Sequence, residues 1–399
     1  MTGREALRSE LAGELAGMEA AGTLKQFQVL ESSQGPEARL RGHGEVVVLS
    51  SNDYLGMAGN PAVIAAGVEA LERYGAGTAS VRFICGLFEP HLELERDLAD
   101  FLATESSLSF VSCWNANHAL LDALCDPDTH VFSDELNHAS IIDAMRLARP
   151  GAKKVYPHSD IEALDRLLSE SGTVGRKLIV SDGVFSMEGD LAPLPELVEL
   201  SERHGAVLIL DDSHGLGVMG DTGRGTAEYF GLEGRVDIIT GTLGKALGGG
   251  AGGFVAGDRD LCSILEQRSR PQLFSNGLPP TVAASARQAL FELRQNPGLV
   301  ARLRANTAEY RRLLGEAGFE PVKGESAIVP VIVGETAEAI RISGSMLEDG
   351  VFVTGFGFPV VPEGTARIRS QISAAHEPGH LELAASALKR AAASGAAGL

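Results

Sequence analysis

Asp237-Ile-Ile-Thr-Gly-Thr-Leu-Gly-Lys245-Ala-Leu-Gly-Gly249 puts a single lysine just past an apolar run, inside a loop of small residues. Ile238-Ile239 reads as the end of a buried strand. Gly241, Gly244 and Gly248 allow close approach of a bound molecule. A lysine that forms a Schiff base with an aldehyde needs its stem held, its amine partly desolvated so that the neutral form exists, and open backbone around it. Thr240 and Thr242 add hydroxyls suited to a phosphate. Taken alone, the same letters also describe a surface lysine in a flexible loop, and a second observation has to decide.

That observation lies upstream. Ala206-Val-Leu-Ile-Leu210 is a continuous apolar run, too short for a typical helix and suited to a buried parallel strand. It ends in Asp211-Asp-Ser-His214. Ligands of open parallel sheets sit beyond the carboxyl ends of the strands. An acid there can pair with a protonated pyridine nitrogen, which is what pyridoxal phosphate (PLP) needs as an electron sink. Aspartate after one strand and lysine after a later one place both side chains over one sheet edge.

From about residue 60 to 290, short apolar runs alternate with helical patterns: Leu108–Val111, Lys177–Val180, Ala206–Leu210, Val236–Thr240 and Phe254–Ala256. The alternation predicts an α/β fold of βαβ units with a mainly parallel sheet. Beyond Pro297-Gly298 come a helix, a strand at Ala327–Val333, another helix, strands at Val351–Thr354 and Ala366–Ser373, and a last helix from Pro378. This second part reads as a small C-terminal α+β domain. The expected division is residues 1–58, an N-terminal helix and short strand; 59–292, a large domain carrying the lysine; and 293–399, the small domain. Residues 1–22 form an amphipathic pattern with Leu7, Leu11, Leu15 and Met18 on one face, either an ordinary surface helix or a dimer contact.

Net charge is −19, which disfavours nucleic acid and anionic membranes as partners and forces any anionic substrate onto local cations. Cys85, Cys113, Cys125 and Cys262 show no C-x-x-C spacing and read as reduced thiols. No run approaches eighteen apolar residues, and the N-terminus lacks a signal-like stretch. A cytoplasmic enzyme without a membrane span is expected. Gly215-Leu-Gly-Val-Met-Gly220 matches G-x-G-x-x-G, but a turn (Asp221-Thr-Gly-Arg-Gly225) follows where that motif needs a helix. Ala246 stands where a P-loop requires Ser or Thr. No H-E-x-x-H pattern occurs and no metal is expected.

Ordered words now extend the match across the chain: Ser51-Asn-Asp-Tyr-Leu-Gly56, Ala79-Ser-Val-Arg-Phe-Ile-Cys-Gly86, Leu136-Asn-His-Ala-Ser-Ile-Ile-Asp143, Asp182-Gly-Val-Phe-Ser-Met-Glu-Gly189, Asp211-Asp-Ser-His214, Leu273-Phe-Ser-Asn276, and Ala366-Arg-Ile-Arg369 leading to His376. In these words the chain resembles the α-oxoamine synthase family of fold-type I PLP enzymes. The resemblance implies PLP as cofactor, held covalently by Lys245. It implies that Asp211 pairs with the pyridine nitrogen, that His138 stacks on the ring, and that Ser186 and His214 lie near the phenolic oxygen. Cys113 and Trp114 would bind the phosphate at a helix N-terminus, where backbone N–H groups and the helix dipole favour an anion. Trp114, the only tryptophan, could instead belong to the core. Thr242 would also touch the phosphate. Ser275 and Asn276 match a segment that reaches the phosphate from a neighbouring subunit, which implies a homodimer with a shared site.

Asn52 and Arg369 are the implied holders of the amino-acid carboxylate. Arg367 lies two residues away on the same strand face and is a rival on geometry; the family motif favours Arg369. Lys245, His138 and His214 are the expected catalytic residues. Arg82-Phe-Ile-Cys-Gly86, Arg268-Ser-Arg-Pro271 and Phe358-Pro-Val-Val-Pro362 point to the branch that condenses glycine with acetyl-CoA. Other branches join alanine to pimeloyl-CoA or form 5-aminolevulinate. Arg268 and Arg270 are local cations for CoA phosphates, or serve a dimer interface. Gly357, in Gly355-Phe-Gly-Phe358, reads as leaving space beside the acyl chain.

Overall fold

The computed structural model describes residues 2–173 and 175–396. Its centre is a seven-stranded sheet, in spatial order Ser106–Phe110, Gly253–Gly257, Ile238–Thr242, Val207–Asp211, Arg176–Asp182, Thr129–Asp134 and Ala152–Tyr156. Gly253–Gly257 runs antiparallel to both its neighbours, and the other pairings are parallel. The sheet is therefore mainly parallel, as expected for fold type I. Its middle strands are apolar on both faces because helices cover both, so Leu208, Ile209, Leu210, Phe254 and Val255 are all buried.

The parallel strands end along one edge, and there the sequence turns polar. Asp134, Asp182, Asp211 and Thr242 are the last residues of four adjacent strands. Lys245 lies three residues past the last of these. Thr129–Asp134 and Ala152–Tyr156 were not foreseen as strands: polar residues interrupt the first, and the second is an edge strand with an alternating, half-exposed pattern.

Two smaller sheets complete the fold. Glu37–Leu40 pairs with Gly44–Val48, which pairs on its other side with Val351–Phe352. Ala366–Gln371 is the middle strand of the other, between Ile328–Gly334 and Thr354–Phe356. The expected strand Val351–Thr354 is thus two strands in two sheets, with the chain passing from one to the other at Val353. The N-terminal helix spans Gly3–Ala20, capped by Thr2 and Glu5, and buries no residue. Among the described residues no helix is long and apolar enough to cross a membrane.

Candidate active site

A cavity of about 200 Å³ opens at the polar sheet edge, lined by Cys113, Trp114, His138, Asp182, Asp211, His214, Thr242 and Lys245 among others. Burial of the Lys245 amine pushes its pKa down to about 8, against an opposing pull from Asp211. About a tenth of the amine is then neutral at pH 7, far more than for an ordinary lysine, which is the property a nucleophilic or basic lysine needs. Asp211 faces it from the next strand and is held in place: Asn117 Nδ2 donates to Oδ2 at 2.7 Å, Ser213 N to Oδ1 at 3.1 Å, and the Cys113 thiol lies 3.6 Å away.

Opposite the lysine, the helix Cys113–Leu124 begins at the cavity. Ser112 Oγ caps Asn115 N and Ser112 O takes Ala116 N. Among the described residues, the Cys113 and Trp114 N–H groups carry no partner, so the helix end is ready for an anion. Gly253 makes this approach possible, since a Cβ there would stand 2.2 Å from Cys113 N. Thr242 Oγ1 lines the cavity but also donates to Gly252 O and accepts from Gly244 N, holding the lysine loop. Thr240 departs from the expectation of a phosphate hydroxyl: it is fully buried and donates to Asn117 Oδ1 at 2.8 Å.

His138 caps the helix Ala139–Ala148, its Nδ1 accepting from Ser140 N at 3.2 Å. Burial lowers its pKa, favouring the neutral ring. Trp114 is 44% exposed and meets His138 edge-to-face at 6.1 Å, so it belongs to the cavity wall and not to the core. His214 is driven to the neutral form by burial and then by the nearby Lys245 charge; its Nδ1 lies 2.8 Å from Tyr54 OH. Ser186 is not among the cavity-lining residues; Val184 of the same loop is, while Ser186 contributes its carbonyl to Arg369.

The two arginines of the small sheet separate sharply. Arg367 pairs with Glu188 at 2.8 Å and donates to Met187 O, so its charge is matched. Arg369 meets no carboxylate at salt-bridge distance among the described residues. Its guanidinium stacks on Phe356 at 4.5 Å, its Nη1 donates to Ser186 O at 2.6 Å, and its buried Nε has no acceptor. A buried, oriented cation with a donor to spare suits a carboxylate ligand. Gln371 accepts from Arg369 Nη2 at 3.1 Å, donates to Ser50 O at 2.7 Å and also touches Asn52. One glutamine thus ties both proposed carboxylate holders together. Ser275 and Asn276 lie elsewhere, in a small cleft with Ser109, Phe110 and Pro271.

Sequence reasoning passed over Tyr54, Asn117, Ser140, Asp182 and Gln371. Asp182 could have been found by the rule that found Asp211, since it also ends a parallel strand at the same edge. It lines the cavity with its pKa raised well above the carboxylate range by burial and then by Asp211. Asn117 carries a weaker signal, one turn after Cys113 on an otherwise apolar helix face.

Residues 44–388 match the family described as aminotransferase class I and II. The chain is 46% identical over 371 residues to human mitochondrial 2-amino-3-ketobutyrate coenzyme A ligase, which covers 93% of this chain and 88% of that protein. It is 44% identical over 386 residues to 8-amino-7-oxononanoate synthase of Symbiobacterium thermophilum, covering 96% and 98%. The chain belongs to the α-oxoamine synthases. Serine palmitoyltransferase from Sphingomonas wittichii superposes over the whole of both chains with a TM-score of 0.92 at 30% identity. A second serine palmitoyltransferase structure, from S. paucimobilis with PLP and myriocin bound, has a TM-score of 0.92 at 32% identity over 97% and 98%.

As an α-oxoamine synthase the protein is PLP-dependent. The cavity fits that cofactor on its own chemistry. It offers an acid for a ring nitrogen, a helix N-terminus with unspent N–H groups for a phosphate, and a buried amine of lowered pKa for an aldehyde.

Proposed function

We propose that this synthase condenses glycine with acetyl-CoA, releasing 2-amino-3-oxobutyrate and CoA in a reversible reaction. Lys245 attaches the cofactor, Asp211 pairs with its ring nitrogen, His138 packs on its ring, and Cys113 and Trp114 with Thr242 receive its phosphate. His214, with Ser186 nearby, stands on the phenolic side. Bound PLP supplies an electron sink for charge developing at the amino-acid Cα.

The protein's own residues supply the rest. Arg369 and Asn52 grip the amino-acid carboxylate and turn the Cα–H bond toward Lys245. Lys245 Nζ, neutral in a usable fraction because burial brings its pKa to about 8, takes the Cα proton and later returns one. The carbon so exposed attacks the thioester carbonyl of the acyl-CoA, and the CoA thiolate departs. Arg268 and Arg270 give local positive charge for CoA phosphates on a chain of net charge −19. Ser275 and Asn276 lie outside the Lys245 cavity of their own chain, which agrees with service to a second subunit in a homodimer.

The observation that carries the reading is the unmatched Arg369 guanidinium beside a lysine of depressed pKa. A Cβ at Gly357 would meet Thr336 Oγ1 at 2.3 Å, so Thr336 already fills the space the missing side chain leaves. The expectation of extra room for the acyl chain is thereby corrected. Similarity to 8-amino-7-oxononanoate synthases keeps alanine with pimeloyl-CoA as the second reading. The test is release of CoA thiol with glycine, alanine and serine, each crossed against acetyl-, succinyl-, pimeloyl- and palmitoyl-CoA. A maximum at glycine with acetyl-CoA supports the proposal, and a maximum elsewhere overturns it.

A further inference from the structure

At the cavity floor runs a chain of polar side chains, in which Thr240, Asn117, Asp211 and Ser140 are nearly fully buried and His138 is the exposed member at the rim. Its proton order follows from one backbone group. Ser140 N–H donates to His138 Nδ1, so that nitrogen carries no proton and the neutral ring holds its hydrogen on Nε2. Ser140 Oγ, 2.8 Å from the same Nδ1, must then donate to it as well. That leaves the Ser140 oxygen free to accept from Asn117 Nδ2 at 2.9 Å. The second hydrogen of the same amide goes to Asp211 Oδ2 at 2.7 Å, and Asn117 Oδ1 accepts from Thr240 Oγ1. Reversing the amide would set its oxygen against a carboxylate, so a single orientation satisfies every group.

We propose that Asn117 is a positioning residue that locks Asp211 and His138 into one unit, aiming the acid at the cofactor's ring nitrogen and the imidazole at its face. This rests on the placement of PLP between those two residues proposed above. Asn117 itself touches no substrate; it lies one helical turn below Cys113. Asp211 also faces Asp182, Cys113, His138 and Lys245, and Asn117 gives it a fixed donor within that mixed field.

The test uses the full chain, stripped of PLP and titrated with it, following affinity and the pH at which the bound cofactor's visible band changes. Asn117→Ala should weaken PLP binding by about ten- to hundredfold, the loss expected for a buried hydrogen bond to a charged group. Asn117→Asp keeps the shape but sets a second carboxyl beside Asp211, and two carboxyls in contact share one proton. Its affinity relative to the native protein should be close to one at about pH 6 and should fall at least about tenfold by about pH 9. Thr240→Val should give a smaller loss than Asn117→Ala. A merely structural asparagine would lower the melting temperature without moving the band's pH midpoint or producing the pH-dependent ratio. Asn117→Ala binding PLP within about twofold of the native protein, or Asn117→Asp showing no pH dependence of the ratio, overturns the inference. Asp211→Asn is run in parallel. If it binds PLP normally, the underlying placement of the cofactor fails; if it binds weakly while the Asn117 variants do not, the inference alone fails.

Discussion

Arg369 and Arg367 share a strand face, and exchanging each for lysine separates their work. Arg369→Lys replaces a planar fork by a point charge. A lysine ammonium cannot keep the Ser186 and Gln371 contacts, the stack on Phe356 and a two-pronged hold on a carboxylate together. One charge-assisted hydrogen bond is worth about 1.5–3 kcal/mol, and the lost cation–π stack about 0.5–1 kcal/mol. The sum, about 2–4 kcal/mol, converts to a rise of roughly 30- to 1000-fold in KM for the amino acid. The carboxylate is gripped before and during reaction alike, so kcat should change far less than KM. Arg367→Lys spares this grip, because Arg367 is matched to Glu188, and should leave KM within about threefold while lowering stability. The assay is CoA-thiol release with the amino acid varied at saturating acyl-CoA, with melting curves for both variants. An unchanged KM in Arg369→Lys, or a large rise in Arg367→Lys, refutes the division of labour.

Lys245→Ala should retain the fold but lose at least about a thousandfold in turnover, with no cofactor fixed covalently after borohydride reduction; near-native turnover would remove Lys245 from the reaction. His158 bridges Asp134 at 3.1 Å and Asp190 at 2.9 Å, behind the loop that carries Ser186. Burial pushes its pKa down, but hydrogen bonds to the two aspartates more than reverse this and take it to about 10. Its protonated form therefore stabilises the fold fully below about pH 6.5, and this contribution fades as pH rises through about 10. His158→Gln should cost about 2–3 kcal/mol at pH 6, a discounted fraction of the full linkage because the ring is partly exposed, and the cost should shrink by pH 10. Urea midpoints of both proteins across that range check the sign, and a cost that grows with pH would be the wrong one. Gly357→Ala should destabilise by about 1–3 kcal/mol because its new methyl collides with Thr336; an unchanged urea midpoint would mean the space is open after all.

The parts of the site that were legible in the sequence are those fixed by local pattern. Ala206–Leu210 announces a buried parallel strand, so Asp211 lands at the sheet edge; Ile238-Ile239 does the same for Lys245. The strand Thr129–Asp134 was illegible because its polar letters look like a loop: its buried hydroxyls are satisfied by nearby Asp126 and Asn137, and its Asp134 carboxylate by the distant His158 and Ser159. The choice between Arg367 and Arg369 is invisible to a period-two pattern; Glu188, supplied by a distant loop, makes it. Thr240 reads as a phosphate hydroxyl like Thr242, two residues on along the same strand face, yet it lies deeper in the strand, fully buried, and donates to Asn117. Gly357 read as empty space because nothing in the sequence tells that Thr336 packs there.

The most direct test of the central claim is chemical. PLP-loaded protein is reduced with borohydride, digested, and searched by mass for the peptide that carries the fixed cofactor. The account predicts a modification at Lys245, blocked when Lys245 is replaced by alanine. A modification carried by any other lysine, with Lys245 unlabelled, contradicts it.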